Sequence, residues 1–172
     1  MSSIVDLTPY LFFFITLTGA GIQIFSRRTT ITRSEKAEIL LVWFFAIELG
    51  VSGVWAFIAH TMFAPQVAAS IGWPAGNPFQ QEVAFTNLAI GVLGFLSVRM
   101  GRHFRLATII SFSIFMLGAG IGHIYQLFIF NDTAINNAGP VMYFDFIVPV
   151  IMILLYISRY ESSPGKHSSQ TS

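Results

Sequence analysis

Cysteine is absent from the 172 residues, and with it go disulfides, thiolate metal ligands, iron–sulfur clusters and cysteine nucleophiles. Charge is scarce. Asp, Glu, Lys and Arg together make up 10% of the chain, against about 25% in a soluble domain. There is no lysine- or arginine-rich face of the kind that binds nucleic acid, so nucleic acid is excluded as a partner. Neither a GxSxG nucleophile elbow nor a phosphate-binding glycine loop occurs, and no lysine falls within a long apolar run, which excludes a retinal Schiff base. No repeat of about 20 to 50 residues is visible, and nothing resembles the inverted halves of many secondary transporters.

What fills the chain instead is hydrocarbon. Hydrophobic residues make up 54% of it and aromatics 15%, in runs that are polar on no face, so the matching solvent is lipid. A spanning helix needs about 20 apolar residues to cross a core of about 30 Å. Five segments qualify, at residues 9–25, 37–63, 79–98, 104–130 and 141–157, joined by connections at 26–36, 64–78, 99–103 and 131–140. The expected fold is therefore an all-α polytopic membrane helix bundle of five transmembrane helices, forming one domain over residues 1–160. Residues 161–172, rich in Ser with Pro164 and Gly165, are expected to be a disordered cytoplasmic tail.

The basic residues orient this bundle. Arg27, Arg28, Arg33 and Lys36 lie in the first connection, Arg99, Arg102 and Arg105 in or beside the third, and Arg159 and Lys166 after the last span, which accounts for all nine. The positive-inside rule makes these regions cytoplasmic, with the N-terminus outside and the C-terminus inside. Asp6 precedes the first apolar run and its positive flank follows it, the reverse of a secretory signal peptide, so the run is expected to stay as a helix. Glycines recur at Gly50 and Gly53, Gly91 and Gly94, and Gly118 and Gly122, where small residues let helix backbones approach, within the chain or in a homo-oligomer.

Ionisable groups inside a span cost roughly 2.5–3.5 kcal/mol on insertion scales, so each raises a question of function. Given this topology, His60 lies about one turn below the outer surface, His123 roughly 10 Å down, Glu82 near the interface and Asp145 about one turn in. Four side chains from four helices thus converge on the outer third. Each also has a plain structural account: His60 as an interfacial residue, Glu82 as a helix N-terminal carboxylate favoured by the dipole, His123 and Asp145 as a buried polar pair. Glu48 is set apart, near mid-membrane and about 120° round the helix from His60; it is expected to be protonated or paired with another helix, with Gln23 and Ser113 as open candidates for its partner. The outer connections IGWPAGNPFQQE and NDTAINNAGP carry turn formers and interfacial aromatics and read as ordered caps, with Gly76–Asn77 permitting a positive φ.

Two imidazoles and two carboxylates, His60, His123, Glu82 and Asp145, are a ligand set for zinc, iron or manganese, which Met62 and Met142 would extend toward copper. No spacing signature accompanies them, neither His-Glu-x-x-His nor the Glu-x-x-His of di-iron bundles. A bis-histidine haem is disfavoured because His60 and His123 differ in depth by about 4–6 Å. The leading reading is a membrane-embedded transition-metal or redox-cofactor site with no reaction assigned. The alternatives are a non-catalytic assembly subunit of a larger membrane complex and a small-molecule binding or transport protein.

The stretch GWPAGNPFQQEVAFTNLAIGVLG at 72–94, GHIYQ at 122–126 and the NAGP…D stretch at 137–145 resemble a family of short, uncharacterised bacterial multi-pass membrane proteins. The resemblance covers most of the chain from the second span onward. It implies a common fold and a bacterial inner-membrane setting but no mechanism, and it places Trp73, Pro74, Pro78, Phe79, Gln80, Glu82, Asn87, His123 and Asp145 in recurrent motifs.

Because the chain has no cysteine, single introduced cysteines report the topology directly. An impermeant thiol reagent applied to sealed cells should label Ser2→Cys and Asn77→Cys and spare Ser168→Cys; labelling of Ser168→Cys would overturn the orientation.

Overall fold

The computed structural model describes residues 4–27 and 30–160. Arg28, Lys166 and the tail expected to be disordered lie outside the described residues. Among the described residues the chain is all-helical, with six helices and no strand: α1 (Ile4–Ser26), α2 (Arg33–Met62), α3 (Ala64–Ile71), α4 (Phe79–Ser97), α5 (Arg102–Phe130) and α6 (Pro140–Tyr160). Three of them, α2, α5 and α6, are long and apolar enough to cross a membrane, while the apolar part of α1, Tyr10–Ser26, is shorter. α4 has 19 residues, but Gln80, Gln81 and Glu82 occupy its first turn. The outer faces carry large apolar side chains, with Phe25 91%, Ile114 70% and Phe128 76% exposed, which suits lipid and not water.

Two local features depart from the sequence reading. The second connection contains the eight-residue α3, where a plain loop was expected. α2 ends at Phe63, whose backbone leaves the helical region, and Pro65 starts the new helix, whose Val67, Ala68 and Ile71 then bury an apolar face. Gly72, at φ 84°, closes it in the left-handed conformation that glycine adopts without a Cβ penalty. The other departure lies inside α2, where Phe44–Val51 winds as a π-helix. Its i→i+5 bonds take about one residue more per turn than the α form.

The helices pack as two antiparallel pairs. α2 and α4 meet backbone to backbone: a Cβ on Gly53 would lie 2.7 Å from the Asn87 carbonyl oxygen and 2.8 Å from the Gly91 nitrogen. A Cβ on Gly94 would lie 2.7 Å from the Phe45 oxygen and 2.8 Å from the Gly50 nitrogen, the two groups that an i→i+5 bond joins. α4 therefore nests in the widened π turn. α5 packs along α6, and α6 also packs on the N-terminal part of α2. α1 lies on α2, with the Trp43 ring covering Gly19 and donating to Gln23 Oε1 at 2.7 Å, and with Trp55 donating to Thr8 Oγ1 at 3.1 Å.

At the end that carries the basic residues, the two pairs are clamped. Arg105, 5% exposed, donates through Nη1 to both Glu38 carboxylate oxygens at 2.8 and 3.0 Å. Its Nε and Nη2 donate to the Ser97 and Val98 carbonyls, satisfying acceptors left open where α4 ends. Arg159 donates to Glu38 Oε2 at 2.7 Å and to Ser34 Oγ at 3.0 Å. The clamp joins α2, α4, α5 and α6. Thr32 and Glu35 cap the start of α2 with a reciprocal pair of hydrogen bonds. Above the clamp lies the main apolar core, including Leu41, Phe44, Phe45, Ile109, Phe112 and Met152.

Two stability measurements check this packing, read as thermal unfolding in detergent. Gly53→Ala should cost about 1–3 kcal/mol by overpacking, whereas Gly118→Ala, where a Cβ meets nothing within 4 Å, should stay within about 0.5 kcal/mol of the parent. Glu38→Ala should cost about 3 kcal/mol, because it leaves the buried Arg105 guanidinium without its counter-charge. Arg159→Ala, at a side chain 37% exposed, should cost less than about 1 kcal/mol.

Candidate functional site

Beyond the clamp the two helix pairs separate. The C-terminal part of α2, paired with α4, makes no extensive contact with α5 and α6, and the space between them is a cavity of about 670 Å³. α3 and Trp73 cover it at the end opposite the clamp, where Ala59, Val67 and Ile71 form a second small apolar core. The outer connections are stitched into a cap, in keeping with their sequence. Asn136 donates from its backbone to the Ser70 carbonyl at 2.9 Å and from its amide to Ser70 Oγ at 3.0 Å. Gln80 Nε2 donates to the Ala64 carbonyl at 2.8 Å, and the Asp132 carboxylate rests on Gly72, where any side chain would collide with it. Gly76, at φ 76°, makes the tight turn expected of it.

Three of the four predicted site residues line this cavity: His60, His123 and Asp145. His123 and Asp145 come together, with Nε2 and Oδ2 3.6 Å apart. Their protonation geometry follows from a chain of bonds. Asn137 is fully buried, and its Nδ2 donates to the Asp132 carbonyl at 2.7 Å, so its Oδ1 must be the atom facing His123 Nδ1 at 2.8 Å. An amide oxygen only accepts, so Nδ1 carries the proton, and a neutral His123 turns its Nε2 lone pair toward Asp145. Neither Asp145 Oδ2 nor Nδ1 of His60 has a hydrogen-bond partner, although both are buried. His60 lies against Trp73, with ring centroids 6.2 Å apart.

Glu82 is placed elsewhere. It is exposed and does not line the cavity. Thr86 shares its outward face, while Val83 and Asn87, a step round α4, face the cavity in their place. Among the described residues no three His, Asp or Glu side chains group as metal ligands would. Met62 is 75% exposed and does not line the cavity.

Glu48, set apart from His60 in the sequence reading, lines the same cavity. The π segment accounts for this. An α-helix would leave the two about 120° apart, but steps reduced to roughly 80° between residues 48 and 52 bring them within roughly 40°. No sequence period announces a π turn; the closely spaced small residues Gly50 and Gly53 are the only local hint. Neither suggested partner reaches Glu48: Gln23 is engaged with Trp43, and both Glu48 Oε2 and Ser113 Oγ are buried without a hydrogen-bond partner. Gly118 and Gly122, read as packing residues, meet nothing within 4 Å and instead form open cavity wall. Pro149 adds a further polar group on α6: lacking an N–H, it leaves the Asp145 carbonyl without its helical donor.

Residues to which the sequence reading gave no site role complete the site. Asn137 fixes the His123 tautomer, and Trp55, Phe115 and Phe144 supply an aromatic wall. Among the described residues no lysine or arginine lines the cavity. No curated protein and no solved structure matches the chain. The sequence profile of a family of unknown function (DUF6790) matches residues 6–165, and the chain belongs to that family.

Proposed function

We propose that this protein is an integral membrane protein that binds a small, largely apolar molecule in the cavity between its two helix pairs. The observation that carries the reading is the cavity: about 670 Å³, walled by aromatic and aliphatic side chains, with a few convergent polar groups. That combination is typical of small-molecule sites. A metal or redox-cofactor centre is less well supported, since it needs a third ligand beside His123 and Asp145. A purely assembling role does not account for a cavity lined by Glu48, His60 and Asp145, each of which has a buried polar atom without a hydrogen-bond partner.

The same reading sets the bundle in a bacterial inner membrane with five spans, the N-terminus outside and the C-terminus inside. Supporting it, Arg33, Arg102, Arg105 and Arg159 gather at one end of the bundle. The cavity then opens in the outer half.

Gly118 supplies the test, because it lines the cavity and a Cβ there meets nothing within 4 Å. The neutral fluorophore N-phenyl-1-naphthylamine should bind the detergent-solubilised protein saturably, read by energy transfer from tryptophan, and Gly118→Phe should lower its affinity at least tenfold at unchanged thermal stability. Equal binding to the two proteins would sink the proposal.

A further inference from the structure

The polar atoms of the cavity are not a random mixture. Asp145 and Glu48 line it, and each has a buried carboxyl oxygen without a hydrogen-bond partner. With His123 neutral, its Nε2 is a further acceptor, because Asn137 holds the single imidazole proton on Nδ1. Against these groups the lining offers, among the described residues, neither a lysine nor an arginine. Asp145 itself is 3% exposed, so its unpartnered oxygen is desolvated by protein.

Two carboxyl groups lining a cavity that has no lysine or arginine among the described residues are costly to ionise unless something positive or proton-donating joins them. The walls add a second selection. Trp55 and Trp73 line the cavity, with Phe12, Phe115 and Phe144, and aromatic faces attract cations while offering apolar area to the rest of a ligand. The shape of the demand is an ammonium head that donates several hydrogen bonds and an apolar body that fills the remainder.

We infer that the cavity takes a protonated amphiphilic amine, its ammonium group held by Asp145 and His123 and its apolar body lying along the aromatic wall toward Trp55 and Trp73. In that pose the ammonium donates to the Asp145 carboxyl group and to His123 Nε2, side chains whose nearest polar atoms stand 3.6 Å apart and which so can share one donor group. Glu48, deeper along α2, supplies a second carboxyl group to the same cavity. Asn137 is a positioning residue: it touches no ligand and holds the acceptor nitrogen of His123 toward the head group. This assignment rests on the small-molecule reading above and names its ligand class.

The experiment compares two probes of nearly the same shape, dansylcadaverine, a primary ammonium at neutral pH, and its N-acetyl derivative, which is neutral. Both are titrated into the full chain in detergent, with energy transfer from tryptophan to the dansyl group as readout. The ammonium form is expected to bind at least tenfold tighter, and that preference should fall to below threefold in Asp145→Asn and shrink in Glu48→Gln. Equal affinity of the two probes for the parent protein overturns the amine assignment, as does a preference that both variants retain. If the neutral probe binds saturably and is lost in Gly118→Phe while no ammonium preference exists, the ligand class is wrong and the binding function stands. If neither probe saturates, both fall. Should Asp145→Asn fail to fold, Glu48→Gln alone decides, since its shrunken preference supports the assignment and an undiminished one refutes it.

Discussion

The Arg105 guanidinium is the fixed point of this bundle. It is buried at the end of α5, and a buried cation must be paired and hydrogen-bonded on every side or the fold does not hold it. Glu38 from α2 supplies the counter-charge, the carbonyls of Ser97 and Val98 accept from the remaining nitrogens, and the Tyr160 hydroxyl on α6 accepts at 3.1 Å. Four helices are thereby brought to one place. Because the tie is confined to one end, the helices are free to diverge toward the other, and the cavity is a consequence of that one-sided closure.

Divergence alone would separate all the helices equally, and it does not. The glycine contacts hold α2 and α4 together along most of their length, so the gap opens only between that pair and α5 with α6. The π turn belongs to the same device. By nesting Gly94 against Phe45 and Gly50 it keeps α4 close, and by delaying the helix by a fraction of a turn it swings Glu48 onto the cavity side. A local irregularity thus sets both a helix contact and the placement of a carboxylate.

How much of this the sequence discloses depends on the range of the interaction. Apolar runs and turn residues act locally, so the helices, the turn at Gly76 and the helix start at Pro140 were legible. Glu82 was misplaced because depth says nothing of azimuth, and the period of α4 turns Val83 and Asn87 inward in its stead. Arg105 read as one of several orienting charges, since its partner Glu38 lies 67 residues away and no local pattern couples them. The glycines are the plainest case. Gly53 and Gly118 look alike in sequence, yet one touches a neighbouring backbone and the other faces open space. A small residue states that a backbone can approach and leaves unsaid whether one does.

The contrast between the two ends is what gives the cavity its meaning. At the clamp, each guanidinium nitrogen of Arg105 finds an acceptor, and in the cap Asn136 and Asn137 are bonded although buried. A chain that pairs its buried polar groups so consistently leaves Glu48, His60 and Asp145 each with an unpartnered atom around one space. Leaving a buried polar atom unpaired costs about 1–3 kcal/mol, more when it is charged. The two other unpartnered atoms, hydroxyls of Thr16 and Ser113, do not line this cavity, so the ionisable groups among the five gather where a ligand has room. The buried charges are paired at the clamped end, and the ionisable groups left with an unpartnered atom belong to residues that line the cavity at the other.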